Sequence, residues 1–140
     1  MFGRDIFVMV QYFINCYTSN YANFKGRARR KEFWSFTLFY YIACAAALVG
    51  DFTLGTATDD GEGGILYALF VLGSICPQLA VTVRRLHDVG RSGWFLLLSI
   101  VPLIGALLLL YWLLSSGDTS PNKWGANPKE TPAVVQNLKY

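Results

Sequence analysis

Residues 63–85 read GGILYALFVLGSICPQLAVTVRR, a run of 21 uncharged residues followed by two arginines. A helix needs about 20 apolar residues to cross the roughly 30 Å hydrocarbon core of a bilayer. Residues 33–50 and 94–114 form two more uncharged runs, of 18 and 21 residues. The hydrocarbon core offers no hydrogen-bond partner to the backbone, so such runs are expected to be helical. The sequence predicts an all-α integral membrane protein with three transmembrane helices, at about 33–50, 63–83 and 94–114.

The composition agrees with a membrane protein and argues against several other classes. Of the 140 residues, 54% are apolar and 15% are charged, whereas a typical soluble domain has about 25% charged residues. A net charge of +3 is too small a surplus to indicate nucleic-acid binding. The three cysteines are widely separated and lack metal-ligand spacing, so we expect no disulfide framework, metal site or cofactor.

The distribution of charge predicts the orientation. Residues 51–62 contain no Lys or Arg but four acids, namely Asp51, Asp59, Asp60 and Glu62. Cations instead cluster before the first run and in the loop after the second, which places the N-terminus and the second loop in the cytoplasm and the acidic loop outside. Three crossings would put the C-terminal tail outside, although the tail carries Lys123, Lys129 and Lys139. As an alternative, Pro102–Gly105 could break the third run into a re-entrant hairpin that returns the tail to the cytoplasm.

The first 22 residues are predicted to form a helix that does not cross the bilayer. One face of it is apolar and consists of Phe2, Ile6, Met9, Val10, Phe13 and Tyr17. Such a helix can lie in the headgroup plane or pack against the bundle or a partner. We therefore divide the chain into an interfacial helix at 1–22, a membrane domain at 23–128 and a disordered tail at 129–140.

The first of two basic motifs is FKGRARRKEFW, at residues 24–34, with five cations in seven residues. Next to a membrane span, each such cation contributes about 1 kcal/mol to the binding of anionic headgroups. The alternative is that these cations only anchor the topology.

The second basic motif is RRLHD at residues 84–88, followed by GRSGW at 90–94. Arginine presents a planar fork that suits phosphate, and a histidine beside an aspartate could carry protons. Catalysis would also require a nucleophile or a metal, and the sequence shows no local candidate. Glu32 and Asp88 could pair with arginines of the other motif, for example Glu32 with Arg85, or all the arginines could converge on one phosphate.

These patterns predict a non-enzymatic protein that binds anionic phospholipids, or a membrane partner, on its cytoplasmic face. The candidate phosphate contacts are Arg27, Arg29, Arg30, Arg84, Arg85 and Arg91, and the supporting residues are Glu32, His87, Asp88 and Trp94. A homo-oligomer is plausible because three short spans bury little surface. One alternative function is an oligomeric transporter or channel around Pro77 and Gln78, and a less favoured one is a phospholipid-modifying enzyme that uses His87.

The motifs GRARRKEFW (26–34), RRLHD (84–88) and SGW (92–94) occur in the order found in the YhaH-like inner-membrane family, domain of unknown function 805, which this sequence resembles. The ending NKWGANP, at 122–128, also resembles that family, with Trp124 and Asn127 as variants of its commoner residues. The resemblance implies a small bacterial inner-membrane protein. It implies no reaction and no catalytic residue, because the activity of the family is uncharacterised.

Overall fold

A computed structural model describes residues 2–58, 61 and 63–129. Within them the chain forms α1 (Phe2–Tyr17), α2 (Arg30–Leu54), α3 (Ile65–Asp88), a 3₁₀ helix (Gly93–Ile100) and α4 (Ile104–Leu114). These residues contain no strand, only two isolated bridges, so the all-α prediction is confirmed for this part of the chain. The acidic residues Asp59, Asp60 and Glu62 and the predicted tail beyond Lys129 lie outside the described residues.

Within the described residues, α2 and α3 are the two helices that are long and apolar enough to cross a membrane. Their 25 and 24 residues correspond to roughly 36–38 Å at 1.5 Å per residue. Only 22% and 28% of their most apolar stretches are buried inside the protein. The core helix of a soluble domain would be mostly covered, so this exposure fits helices that face lipid.

The third predicted span is not one continuous helix, so the predicted count of three transmembrane helices is not confirmed. The 3₁₀ helix ends at Ile100, and α4 begins four residues later. Pro102 lacks a backbone N–H and disfavours the helical conformation at Val101, which is extended. Leu103 then turns the chain with a φ of 62°. Gly105 packs so closely on the carbonyl of Leu98 that a Cβ at this position would overlap it.

Both ends of this broken segment lie beside the C-terminus of α3. At its start, the N–H of Arg91 donates to the carbonyl of Leu86 over 2.9 Å. Beyond its end, the N–H of Asp118 donates to the carbonyl of Asp88 over 2.7 Å. The segment therefore leaves and returns to the same end of the bundle, which we call the basic end.

Helix α1 packs against the bundle through its C-terminal half. Cys16 joins the core cluster with Phe36 and Val81, and Phe13 and Tyr17 pack against that cluster. Towards the start of α1 the apolar side chains are uncovered, and Phe7 is 68% exposed. Of the two predicted roles, packing against the bundle describes the second half of this helix.

The proline in α3 is compensated from outside the helix. Pro77 cannot donate to the carbonyl of Gly73, which the hydroxyl of Tyr21 reaches over 2.7 Å. Next to it, Ser74 shares a 2.6 Å hydrogen bond with Tyr17. Backbone groups freed by proline in a membrane helix need such partners. The polar face around Pro77 is therefore used to attach the segment that follows α1.

Opposite the basic end, Asp51 caps the first turn of α3. Its carboxylate accepts hydrogen bonds from the N–H groups of Leu66 at 2.9 Å and Tyr67 at 2.8 Å, and from the hydroxyl of Thr56 at 2.6 Å. Asp51 is fully buried. It was predicted to lie in an acidic loop, but it belongs to the last turns of α2 and joins the two long helices.

Candidate functional site: a buried network at the basic end

The two basic motifs meet at the basic end of the bundle. The segment before α2 runs alongside the last turn of α3, and the N–H of Ala28 donates to the carbonyl of Arg84 over 2.9 Å. Ala28 is fully buried, so this contact is tight. The backbone thus fixes the spacing between the motifs, and the charged side chains complete the junction.

Asp88 lies between two arginines from different motifs. Its Oδ1 accepts from Nε of Arg27 at 2.9 Å, and its Oδ2 accepts from Nη1 of Arg85 at 2.5 Å. All three side chains are at least 96% buried. A carboxylate held by two charge-assisted hydrogen bonds fixes the orientation of both guanidinium groups.

Glu32 forms the second cross-motif pair, with Arg84 as its partner. Nη1 of Arg84 lies 2.5 Å from Oε1 of Glu32, and both side chains are almost wholly buried. Nη2 of Arg84 also points at the sulfur of Cys16, 3.7 Å away, which brings α1 into the network. Burial raises the pKa of the Cys16 thiol to about 12, and the charge of Glu32 adds to the effect, so the sulfur remains protonated.

The segment after α4 closes the network with its backbone. Arg85 donates to the carbonyls of Leu113, at 3.2 Å, and of Ser115. Arg27 donates to the carbonyls of Asp118, at 2.5 Å, and Ser120, at 2.9 Å. Five N–H donors on each guanidinium allow this mixture of carboxylate and carbonyl partners.

A glycine permits the close approach of this segment. Gly117 is buried directly against the carboxylate of Asp88, and a Cβ at this position would overlap the carboxylate oxygens. Any larger residue would push the segment away from the two arginines. Gly117 is therefore required by the packing at Asp88.

His87 serves as an attachment point for the end of the described chain. Its Nδ1 lies 3.1 Å from the carbonyl of Gly26, so Nδ1 carries the proton in the neutral ring. The imidazole stacks on Trp124, with ring centroids 4.5 Å apart and planes 11° apart. The backbone carbonyl of His87 accepts from Asn122 over 2.9 Å. Both faces of the last turn of α3 are thus occupied by protein.

The remaining cations lie at the surface. Arg30, Lys31 and Arg91 are exposed, and Arg29 is half-buried. Arg91 lies 5.1 Å from the ring centre of Trp112, a cation–π distance. Trp94 is 79% exposed next to this site, on the outer side of the 3₁₀ helix.

The structure thus divides the predicted site residues into two groups. Buried in the network are Arg27, Glu32, Arg84, Arg85, His87 and Asp88. The predicted pairing between motifs is present, although Glu32 pairs with Arg84 and not with Arg85. Arg30, Arg91 and Trp94 are exposed outside the network, and Arg29 is half-buried between the two groups.

Sequence reasoning missed Cys16 and the whole segment at 115–127 as parts of the site. The sequence assigns Cys16 no role in the site, and nothing in its neighbourhood along the chain indicates a contact with an arginine. The segment at 115–127 contributes largely through backbone carbonyls, which every residue type has and which the sequence therefore does not indicate. Asn122 and Trp124 were noted only for the family resemblance, and that resemblance was the one available signal.

The two carboxylates of the network, Glu32 and Asp88, are paired with arginines, and His87 contacts a backbone carbonyl and a stacked ring. The residues brought together therefore form a structural junction between four segments of the chain, around two ion-paired carboxylates. Among the described residues no group of three or more His, Cys, Asp or Glu side chains could hold a metal ion.

These features define a small helical membrane protein with an internally paired basic end. A family model described as "Protein of unknown function (DUF805)" matches residues 21–126, and the chain belongs to this family. The family resemblance in the sequence motifs is thereby confirmed. The matched region contains every charged residue of the network.

The chain is similar to curated inner-membrane proteins of Escherichia coli. "Inner membrane protein YhaI" of strain K12 is 44% identical over 110 residues, which cover 79% of this chain and 89% of that protein. "Inner membrane protein YhaH" of strain K12 is 40% identical over 113 residues, which cover 81% of this chain and 93% of that protein. No solved structure is significantly similar to the chain.

Proposed function

We propose that this protein is a non-enzymatic inner-membrane protein that binds anionic phospholipids at the cytoplasmic surface. The observation that supports this is the division of the cations at the basic end. Arg27, Arg84 and Arg85 are buried with internal partners, whereas Arg30, Lys31 and Arg91 are exposed. The buried arginines maintain the fold, and the exposed cations bind phosphate.

The surroundings of the exposed cations suit the membrane interface. Arg30 and Lys31 form the first turn of α2, one turn before the exposed Trp34. Tryptophan and cations at the end of an apolar helix are typical of the headgroup region. Each cation near an anionic surface contributes about 1 kcal/mol, or roughly a fivefold change in lipid affinity.

The proposal includes a topology with two crossings. With the basic end in the cytoplasm, α2 and α3 span the bilayer, and the segment from 93 to 114 enters it and returns. The tail then lies in the cytoplasm, which agrees with its lysines. A reporter fused after Tyr140 that is active only in the cytoplasm tests this, and activity of a periplasmic reporter at the same position would contradict it.

Two variants with opposite expected effects on lipid preference and thermal stability test lipid binding. In native mass spectrometry of protein exchanged into phosphatidylglycerol and phosphatidylcholine mixtures, we expect the wild type to retain phosphatidylglycerol preferentially. Arg30→Gln/Lys31→Gln/Arg91→Gln should lose this preference and keep its thermal stability. Arg84→Gln should lose stability and keep the preference in its folded fraction. Retention of the preference by the triple variant would refute the proposal.

A further inference from the structure

A groove of about 380 Å³ lies between α1 and α2, away from the buried network. Its apolar walls include Val8 and Met9 from α1 and Leu38 from α2. The volume falls within the usual range for small-molecule sites, about 300–1,000 Å³. The core contacts of α1 lie in its second half, around Phe13, and the groove lies beside its earlier turns.

One part of the groove carries charge of both signs. Arg30 and Lys31 line it from α2, and Asp5 lines it from α1. In the described part of the chain none of these three side chains forms an ion pair or a hydrogen bond. The groove therefore presents two cations and one carboxylate to whatever occupies it.

A serine hydroxyl also faces this space. Ser35 is only 2% exposed and lines the groove one turn beyond Lys31. Its hydroxyl forms no hydrogen bond to any described residue. A hydroxyl that lines the groove beside two cations is available to donate a hydrogen bond to a ligand oxygen.

We propose that this groove binds one phospholipid whose headgroup carries both a phosphate and a primary ammonium group. The phosphate lies against Arg30 and Lys31 and accepts from Ser35, and the ammonium group lies against Asp5. The start of an acyl chain follows Met9 and Leu38. This inference rests on the proposed function for the role of Arg30 and Lys31, and it adds the site and the chemistry of the headgroup.

The carboxylate favours this headgroup over a purely anionic one. An anionic lipid would satisfy the two cations and leave Asp5 next to an added negative charge. An ammonium group gives Asp5 a partner with three N–H donors, at the same time as the phosphate neutralises a cation. The charge pattern of the headgroup then mirrors that of the groove.

The experiment compares lipids that differ only in the headgroup amine. Native mass spectrometry of the full chain would measure how tightly the protein binds its first lipid molecule, separately for phosphatidylethanolamine, phosphatidylcholine and phosphatidylglycerol. Phosphatidylcholine keeps the positive charge but has no N–H donor. We expect one phosphatidylethanolamine to bind more tightly than phosphatidylcholine. Asp5→Asn should weaken it about two- to fivefold, the range of an exposed ion pair, and leave phosphatidylglycerol unweakened.

A second pair of variants tests the location. Leu38→Trp fills the groove and should remove the tight site. Leu48→Trp, on the same helix but outside the groove, should retain it. Leu48 is 36% exposed and Leu38 48%, so both variants place the larger ring on an uncovered face.

The outcomes separate this inference from the proposed function. An unchanged phosphatidylethanolamine preference in Asp5→Asn, or a tight site that survives in Leu38→Trp, would overturn the inference. Phosphatidylglycerol as the tightest lipid at the groove would overturn it as well, and would leave the proposed anionic-lipid binding intact. A wild type that shows no preference for phosphatidylglycerol over phosphatidylcholine, but keeps the tight phosphatidylethanolamine site, would contradict the proposed function alone.

Discussion

Replacing Asp88 with asparagine is the most direct test of the buried network. The carboxylate of Asp88 accepts one hydrogen bond from Arg27 and one from Arg85, at 2.9 and 2.5 Å. Asparagine has nearly the same shape but carries no charge, and one of its two polar atoms is a donor. It can keep one of these hydrogen bonds, while its NH₂ group faces the N–H donors of the other arginine.

The expected loss follows from burial and charge. Breaking a buried ion pair by removing one partner typically destabilises a protein by about 3–5 kcal/mol, because the remaining charge stays uncompensated. The carbonyls that also accept from Arg27 and Arg85 moderate the effect, so we expect about 3 kcal/mol for Asp88→Asn. For a chain of this size the unfolding midpoint should fall by on the order of 10 °C.

Thermal unfolding of the detergent-purified protein, followed by intrinsic tryptophan fluorescence, measures this shift. Asp118→Asn is the matched control, because Asp118 belongs to the same junction but its side chain accepts only from Asn122 in the structure, over 3.0 Å. Its midpoint should fall by roughly 3 °C or less. Double-mutant cycles test which arginine interacts with Asp88. We expect a coupling energy between Arg27→Gln and Asp88→Asn, and little coupling between Arg84→Gln and Asp88→Asn. Equal midpoints for the two Asp→Asn variants, or no coupling with Arg27, would refute the reasoning.

Two further predictions concern the attachment of the first segment. Tyr21→Phe leaves the carbonyl of Gly73 without its donor and should destabilise the protein by about 1 kcal/mol in the same unfolding assay. Pro77→Ala restores the helical N–H, so adding it to Tyr21→Phe should remove most of that loss. An undiminished loss in the double variant would contradict the explanation. Cys16 should resist maleimide at pH 7–8 because the residue is 1% exposed and the pKa of its thiol is raised to about 12. Mass spectrometry should show rapid labelling of Cys16 only after Arg84→Gln or unfolding. Rapid labelling in the native protein would be inconsistent with the packing of α1.

The two long helices could be predicted from the sequence because lipid imposes a simple rule of length and hydropathy. The third run satisfied the same rule and was still misjudged as a continuous span. Its hydropathy is high throughout, so a window average does not register the backbone break at Pro102 or the close packing of Gly105. The alternative of a hairpin at Pro102–Gly105 had been drawn from the proline and glycine alone, and the observed break occurs there.

The network could be predicted in type but not in detail. Opposite charges in two motifs at one end of a bundle indicate pairing, and pairs between the motifs are present. Arg84 and Arg85 are adjacent on α3 and point about 100° apart, so the rotation of that helix decides which one meets Glu32. Rotation depends on packing around Phe36 and Val81, which one sequence does not reveal.

The packing of the segment after α4 against Arg27 and Arg85 has a consequence for the order of assembly. The carbonyls of Asp118 and Ser120 are 91 and 93 residues away from Arg27 along the chain. Synthesis runs from the N-terminus, so α2 and α3 exist before these acceptors do. During that interval Arg27 and Arg85 already have Asp88 as a partner, but the N–H groups that donate to the last segment lack those carbonyl acceptors. The junction at the basic end can therefore be completed only after the last segment has been synthesised.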